Sequence, residues 1–243
     1  LLNWSIEKIK NRKDSLITMK GKFIVIEGID GSGKATQTKL LVEELKRRVL
    51  NIEITDFPQY GKKSAALVEE YLNGKFGSAE EVGPYRASIF YACDRYAASK
   101  QMYKWLGEGK IIISNRYVSA NKGHQTGKIK DSKEREKFLE WLDNLEYNIF
   151  KIPKPDLVII LNVPHEIGYK LVESKDLREY IEGGKTKDLH EKDLEHLKNT
   201  EQAYFEMVGK YPNWIRVDCT KNNKILPKEI ISKLIIKEVE KIL

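Results

Sequence analysis

Three glycines and a lysine stand close together in Gly28-Ile29-Asp30-Gly31-Ser32-Gly33-Lys34. Glycines at this density let successive backbone N–H groups converge, and converging N–H groups bind phosphate. The lysine adds a charge that reaches the β and γ phosphates of a nucleotide. The pattern G-x-x-x-x-G-K-[ST] asks for a hydroxyl directly after the lysine, as a ligand for Mg2+. Here Ala35 stands in that place, and the hydroxyl comes one residue later, at Thr36. A methyl group cannot bind a metal ion, so the usual direct contact is missing. The competing reading of the stretch is a plain tight turn.

The elements on either side decide between the two readings. Phe23-Ile24-Val25-Ile26 is an apolar, β-branched run with the character of a buried strand. After the turn, Leu40, Leu41 and Leu45 mark one face of a helix. Strand, Gly-rich turn and helix together form the context of a phosphate loop, and the helix N-terminus adds a favourable dipole. Two arginines extend the case. Arg116 follows Asn115 at the end of the strand-like run Ile111-Ile112-Ile113-Ser114, and Arg95 lies in Tyr91-Ala-Cys-Asp94-Arg95-Tyr96. A surface ion pair is the commoner fate of an arginine. Two of them at comparable positions beside a phosphate loop point instead to anion binding.

The rest of the chain alternates. Asn51–Asp56 is a second strand, ended by Phe57-Pro58. Ser64–Leu72 and Pro84–Leu106 are helices, the latter with Tyr85, Ile89, Ala92, Tyr96 and Met102 on one face. Asp131–Phe150 is a charged amphipathic helix whose core residues are Phe138, Leu139, Trp141, Leu142, Leu145 and Ile149. Pro153-Lys-Pro155-Asp156 precedes the apolar strand Leu157–Leu161, and Pro164 starts another helix. Ser174–Glu191 is polar, with Gly183-Gly184, and has the composition of a flap. Leu194–Val208 is helical, Trp214–Asp218 is a last strand, and Pro227 opens a C-terminal helix carrying Ile230, Ile231, Leu234, Ile235 and Val239. Five strands alternating with helices predict one α/β domain, its sheet parallel and covered on both faces. Residues 1–18 are expected to be an extension, and the domain is expected over 19–243.

The bulk numbers fit such a domain: 243 residues, 41% hydrophobic and 33% charged. No run of about 18 apolar residues exists, so no membrane partner is expected. Leu1–Lys20 carries no apolar segment of the secretory kind. Cys93 and Cys219 lie far apart and fit buried residues in a reduced, cytoplasmic compartment. A net charge of +7 favours anionic partners. The lysines are spread along the chain, and a nucleic-acid role finds little beyond that charge. His124 and His190 share no metal-ligand spacing.

Several blocks together resemble the thymidylate kinase family: IEGIDGSGKATQ, DFPQYG, YACDRY, NRY followed by HQ, PDLVIILNV, and the flap before DLHEKD. The resemblance runs from about Lys22 to the C-terminus. It implies ATP-dependent phosphorylation of dTMP to dTDP by in-line transfer. It also implies a P-loop, three-layer fold with a five-stranded parallel sheet, a Mg2+ cofactor and a homodimer. On this resemblance Gly28 to Thr36 would hold ATP. Asp30 would bond the acceptor's 3′-hydroxyl, and Phe57 would line the acceptor pocket. Tyr91 would stack on thymine, Arg95 would bond a thymine carbonyl, and Arg116 would grip the acceptor phosphate. Asn121 and Gln125 would complete the base pocket, although Ser119-Ala120-Asn121 departs from the family's Ser-rich pattern. Lys34 and Arg116 would act with a cation from the lid, at about 174–191. Some members carry a loop arginine where this chain has Gly31. The expected lid cation is therefore Arg178, with Lys175 and Lys185 behind it. Asn115 stands where the family has Asp, so Glu27 is expected to help hold the metal, with Asn115, through water. Two rival readings remain open at this point: another nucleoside-monophosphate kinase, and a nucleotide-binding protein without catalysis.

Overall fold

Phe23, Ile24, Val25 and Ile26 are all fully buried, so their strand is covered on both faces, as a central strand of a parallel sheet must be. The computed structural model describes residues 21–173 and 194–243. Expectations for residues 1–18 and for the lid at 174–191, with Lys175, Arg178, Lys185 and His190, lie outside the described residues.

The strands are β1 (Lys22–Glu27), β2 (Ile52–Asp56), β3 (Ile111–Asn115), β4 (Leu157–Asn162) and β5 (Trp214–Asp218). They form one five-stranded sheet in the order β2-β3-β1-β4-β5, with every pairing parallel. The chain leaves β1 to one side for β2 and β3, then crosses to β4 on the other. That reversal opens a crevice at the C-terminal ends of the strands beside β1.

The helices are α1 (Lys34–Arg47), α2 (Ala66–Leu72), α3 (Ala79–Gly107), α4 (Val118–His124), α5 (Ser132–Asp143), α6 (His165–Glu173), α7 (Leu194–Lys210) and α8 (Lys228–Val239). Strand alternation divides them between two layers. Phe23 and Val25 face a core with Met102 of α3, Phe138 and Leu142 of α5, and Leu197, Tyr204 and Met207 of α7. Ile24 and Ile26 face the other core, with Leu41 and Leu45 of α1 and Ile231, Ile235 and Val239 of α8. Helix, sheet, helix is the three-layer arrangement expected. A small antiparallel hairpin, β6 (Thr220–Lys221) and β7 (Lys224–Ile225), was not expected. Asn222 and Asn223 both take positive φ at its turn, the conformation that asparagine tolerates best after glycine.

Three details differ from the sequence expectation. The helix expected from Pro84 starts earlier, at Ala79, where Ser78 and Glu81 form a capping box. Gly83 breaks it with φ 72°, and Pro84 restarts it as a first-turn proline. Ile89 and Tyr96, expected on one face with the buried Ala92 and Met102, are exposed, Tyr96 by 55%. The helix expected through Phe150 ends as α5 at Asp143 and continues as a π turn, Asn144–Ile149. The wider turn rotates the later side chains. Ile149, expected in the core, is 62% exposed, and Glu146 is fully buried in its stead.

Candidate active site

Lys34 opens α1 directly behind the glycine turn. Its Nζ donates to the carbonyls of Gly28 (3.0 Å) and Ile29 (2.9 Å), and Asp30 lies 3.8 Å away. The loop thus curls around its own lysine. Gly31 is required here: its φ is +83°, and a Cβ there would stand 2.1 Å from the Gly168 carbonyl of α6. Ala35 and Thr36 are exposed on the first turn of α1 and line the cavity beside the loop. Ser32 is buried, and its hydroxyl has no partner among the described residues.

That cavity holds about 640 Å³, the size of a small-molecule site. Asp30, Gly31, Gly33, Lys34, Ala35 and Thr36 border it on the loop side. Phe57, Tyr91, Arg95, Arg116, Asn121 and Gln125 border it on the other, so every expected acceptor residue meets in one space. Glu27, Gly28, Ile29 and Ser32 lie outside this lining.

Arg116 takes φ +64°, a strained backbone for an arginine. It sits just past β3 and is tied back by its N–H to the Ile26 carbonyl of β1 (3.0 Å). Its guanidinium meets Asp30 at 2.5 Å, Glu27 at 3.5 Å and His124 Nε2 at 2.8 Å. An arginine only donates, so His124 Nε2 accepts, and its Nδ1–H then points to His196 Nε2 at 3.2 Å. Burial, then the Arg116 charge, holds His124 well below its ordinary pKa. Burial opposes the charge on Arg116, but Asp30 and Glu27 outweigh it and raise its pKa.

Arg95 is as deeply placed. It pairs with Glu146 of the π turn through Nη2 and Nε, and its Nη1 donates weakly to the Tyr117 carbonyl at 3.5 Å. Both partners are buried. The preceding residue, Asp94, accepts from Gln59 N (2.8 Å), Gln59 Nε2 (3.0 Å) and Ser64 Oγ (2.6 Å). These bonds hold the loop that carries Phe57. Phe57 packs on Tyr117, and Tyr91 meets Tyr71 edge-on. Asn121 donates to the Ser88 carbonyl at 3.2 Å, while Gln125 Oε1 is buried without a partner among the described residues.

The two expected metal residues differ. Glu27 is fully buried and accepts from Gly28 N (3.0 Å) and Ser119 Oγ (3.0 Å), besides its contact with Arg116. Asn115 lines the cavity and donates to Asp56 Oδ1 at 2.9 Å. Asp56 is open to solvent but flanked by protein, and that partial desolvation raises its carboxyl against the Asn115 hydrogen bond. Among the described residues no three His, Cys, Asp or Glu converge on a metal. Glu146, His196, Asp56 and Ile225 of β7 are site residues that the sequence reading did not single out. Glu146 had a signal, since at helical spacing it lies four residues after Leu142 and seven after Leu139, on the apolar face.

The thymidylate kinase family model matches residues 26–230. A probable thymidylate kinase of Thermococcus onnurineus is 30% identical over 216 residues, covering 86% of this chain and 95% of its own. The thymidylate kinase of Plasmodium falciparum is 29% identical over 223 residues, covering 92% and 91%. A solved structure of thymidylate kinase from Candida albicans superposes with a TM-score of 0.67 at 22% identity, covering 91% and 92%, and shares the fold.

Proposed function

The chain belongs to the thymidylate kinase family, and on that premise we propose that it phosphorylates dTMP to dTDP with ATP by in-line transfer. One observation carries the reading. Lys34, at the phosphate loop, and Arg116, on the acceptor side, border the same cavity and share Asp30 between them. Phosphoryl transfer asks for donor and acceptor held in line and for negative charge neutralised.

In this mechanism Lys34 exchanges the carbonyls of Gly28 and Ile29 for phosphate oxygens of ATP. Arg116 has donors beyond those given to Asp30 and His124, and it grips the acceptor phosphate. Asp30 orients Arg116 and accepts from the acceptor's 3′-hydroxyl. Tyr91 and Phe57 flank the thymine, and Arg95, Asn121 and Gln125 read its edge. Gln125 Oε1 lacks a partner among the described residues, which supports a base-contacting role. The further cation is assigned to Arg178 in the lid, since Gly31 offers no side chain.

Mg2+ supplies charge neutralisation across the phosphates when bound. The donor set supports it, because the buried Asn115 Oδ1 is an oxygen without a partner among the described residues. Mg2+ needs few protein ligands, as it keeps waters and phosphates in its shell. The free thiols Cys93 and Cys219 support a reduced, cytoplasmic setting. The exposed stripe Ile89, Tyr96 and Tyr103 along α3 supports a homodimer. No helix among the described residues is long and apolar enough to cross a membrane.

The test is ADP release from ATP and Mg2+ with dTMP, dUMP, dGMP, dCMP and AMP offered in parallel. A clear preference for dTMP is expected. Turnover favouring another monophosphate would overturn the base assignment. ATP binding without turnover on any acceptor would overturn the kinase reading.

A further inference from the structure

Two carboxylates line the cavity among the described residues, Asp30 and Asp56, and they are not equivalent. Asp30 already faces two protein cations, Arg116 at 2.5 Å and Lys34 at 3.8 Å. Glu27, beneath the loop, is fully buried and carries Gly28 N, Ser119 Oγ and Arg116. A divalent ion at either one would have to compete with an arginine already paired in a partly buried site, at an electrostatic cost.

Asp56 has no such commitment. It closes β2 directly opposite Asn115, which closes β3 in register. No lysine or arginine among the described residues lies within ion-pair distance of it, and it is open to solvent. Its partner is neutral: Asn115 Nδ2 donates to Oδ1 at 2.9 Å, fixing the carboxylate without cancelling its charge. The backbone holds the pair in place, as Phe57 N donates to the Asn115 carbonyl at 3.1 Å. The Asn115 side-chain oxygen is buried and has no partner among the described residues. A carboxylate fixed by a neutral amide and outside ion-pair distance of any cation among the described residues, at the strand ends facing a phosphate loop, has the chemistry of a hard-cation site. Mg2+ bound with phosphates commonly takes one or two carboxylates and fills its octahedron with water.

We propose that Asp56, rather than Glu27, is the carboxylate that binds the divalent cation, with Asn115 as its orienting group. The inference rests on the kinase reading, because the ion arrives with nucleotide phosphates. Anchoring the ion at the end of β2 also accounts for a phosphate loop that works with Ala35 where a hydroxyl ligand is usual.

Mn2+ is the probe. Its binding to the full chain with ADP and dTMP is followed by electron paramagnetic resonance, beside calorimetric ADP binding without metal. Asp56→Asn should weaken Mn2+ in the complex about tenfold or more, the scale of a lost ligand or its support. Metal-free ADP should bind Asp56→Asn at least as tightly as wild type, since a negative charge near phosphate is removed. That second readout also reports that the variant is folded. If Asp56→Asn does not fold, Asp56→Ser is measured in its place with the same expectation. Unchanged Mn2+ affinity in a variant that binds ADP would overturn the assignment of Asp56 alone. A wild-type complex holding Mn2+ no better than ADP in solution would overturn the magnesium reading with it.

Discussion

Arg95 carries its charge in a fully buried place, and Glu146 makes that tolerable. Removing one partner of a buried pair strands the other, at about 3–5 kcal/mol. Glu146→Ala should therefore cost stability on that scale in urea unfolding. Glu146→Gln keeps shape and hydrogen bonding but frees the guanidinium from its fixed direction. It should raise KM for dTMP while leaving KM for ATP unchanged; equal rises in both would remove Arg95 from the base pocket. Arg95 was singled out from its motif, whereas Glu146 was passed over despite its spacing. Helical spacing through Phe150 puts Glu146 on the same face as Leu139 and Leu142, but a carboxylate on an apolar face was passed over in favour of Leu145 and Ile149. The π turn keeps Glu146 buried and turns Ile149 out to solvent, and nothing in a 3.6-residue period announces a π turn.

At the scale of elements, the strands and most helices could be read because their apolar runs are long and their breaks are Gly or Pro. Short segments were harder to read. The turn Thr126–Lys128 sets the Lys128 ammonium 3.0 Å from the Tyr71 hydroxyl, and burial lowers its pKa to about 7 despite Glu80. The unfolded chain keeps this lysine protonated to about 10.5. Between those values the unfolded state binds more protons, so stability rises with pH. The rise from this one group is at most about 1.4 kcal/mol per pH unit. Thermal melts from about pH 6 to about pH 9 should show it in wild type, and it should be smaller in Lys128→Met. Parallel curves for the two proteins would remove Lys128 as the source. Pairings across the sheet, such as Asp56 with Asn115, were also out of reach, because they depend on which strands become neighbours.

For the whole molecule, the informative feature is where apolar surface remains uncovered. Ile89, Tyr96 and Tyr103 recur every seven residues on α3, so they share one side of that helix, and Phe150 packs against Tyr96. Periodicity alone put Ile89 and Tyr96 on one face with Ala92 and Met102, and within one chain the first two are exposed while the last two are buried. Both statements agree if a second copy covers Ile89 and Tyr96. Tyr96→Glu should lower the sedimentation mass from dimer to monomer while the melting curve of the monomer survives. An unchanged mass would place the dimer contact elsewhere or remove it.

Gly31 and Gly168 face each other across the phosphate loop and α6, and each element's chain occupies the space where the other's glycine would carry a side chain. A Cβ at Gly168 would stand 2.8 Å from the Asp30 carbonyl, just as one at Gly31 would strike Gly168. Neither position can change alone without the other element moving. In evolutionary terms the two residues form a locked pair. A lineage with this packing cannot place a side chain at position 31 by a single codon change, because the first step damages the loop before any later step repairs it. The history of α6 thus limits the chemistry open to a loop more than a hundred residues earlier in the chain.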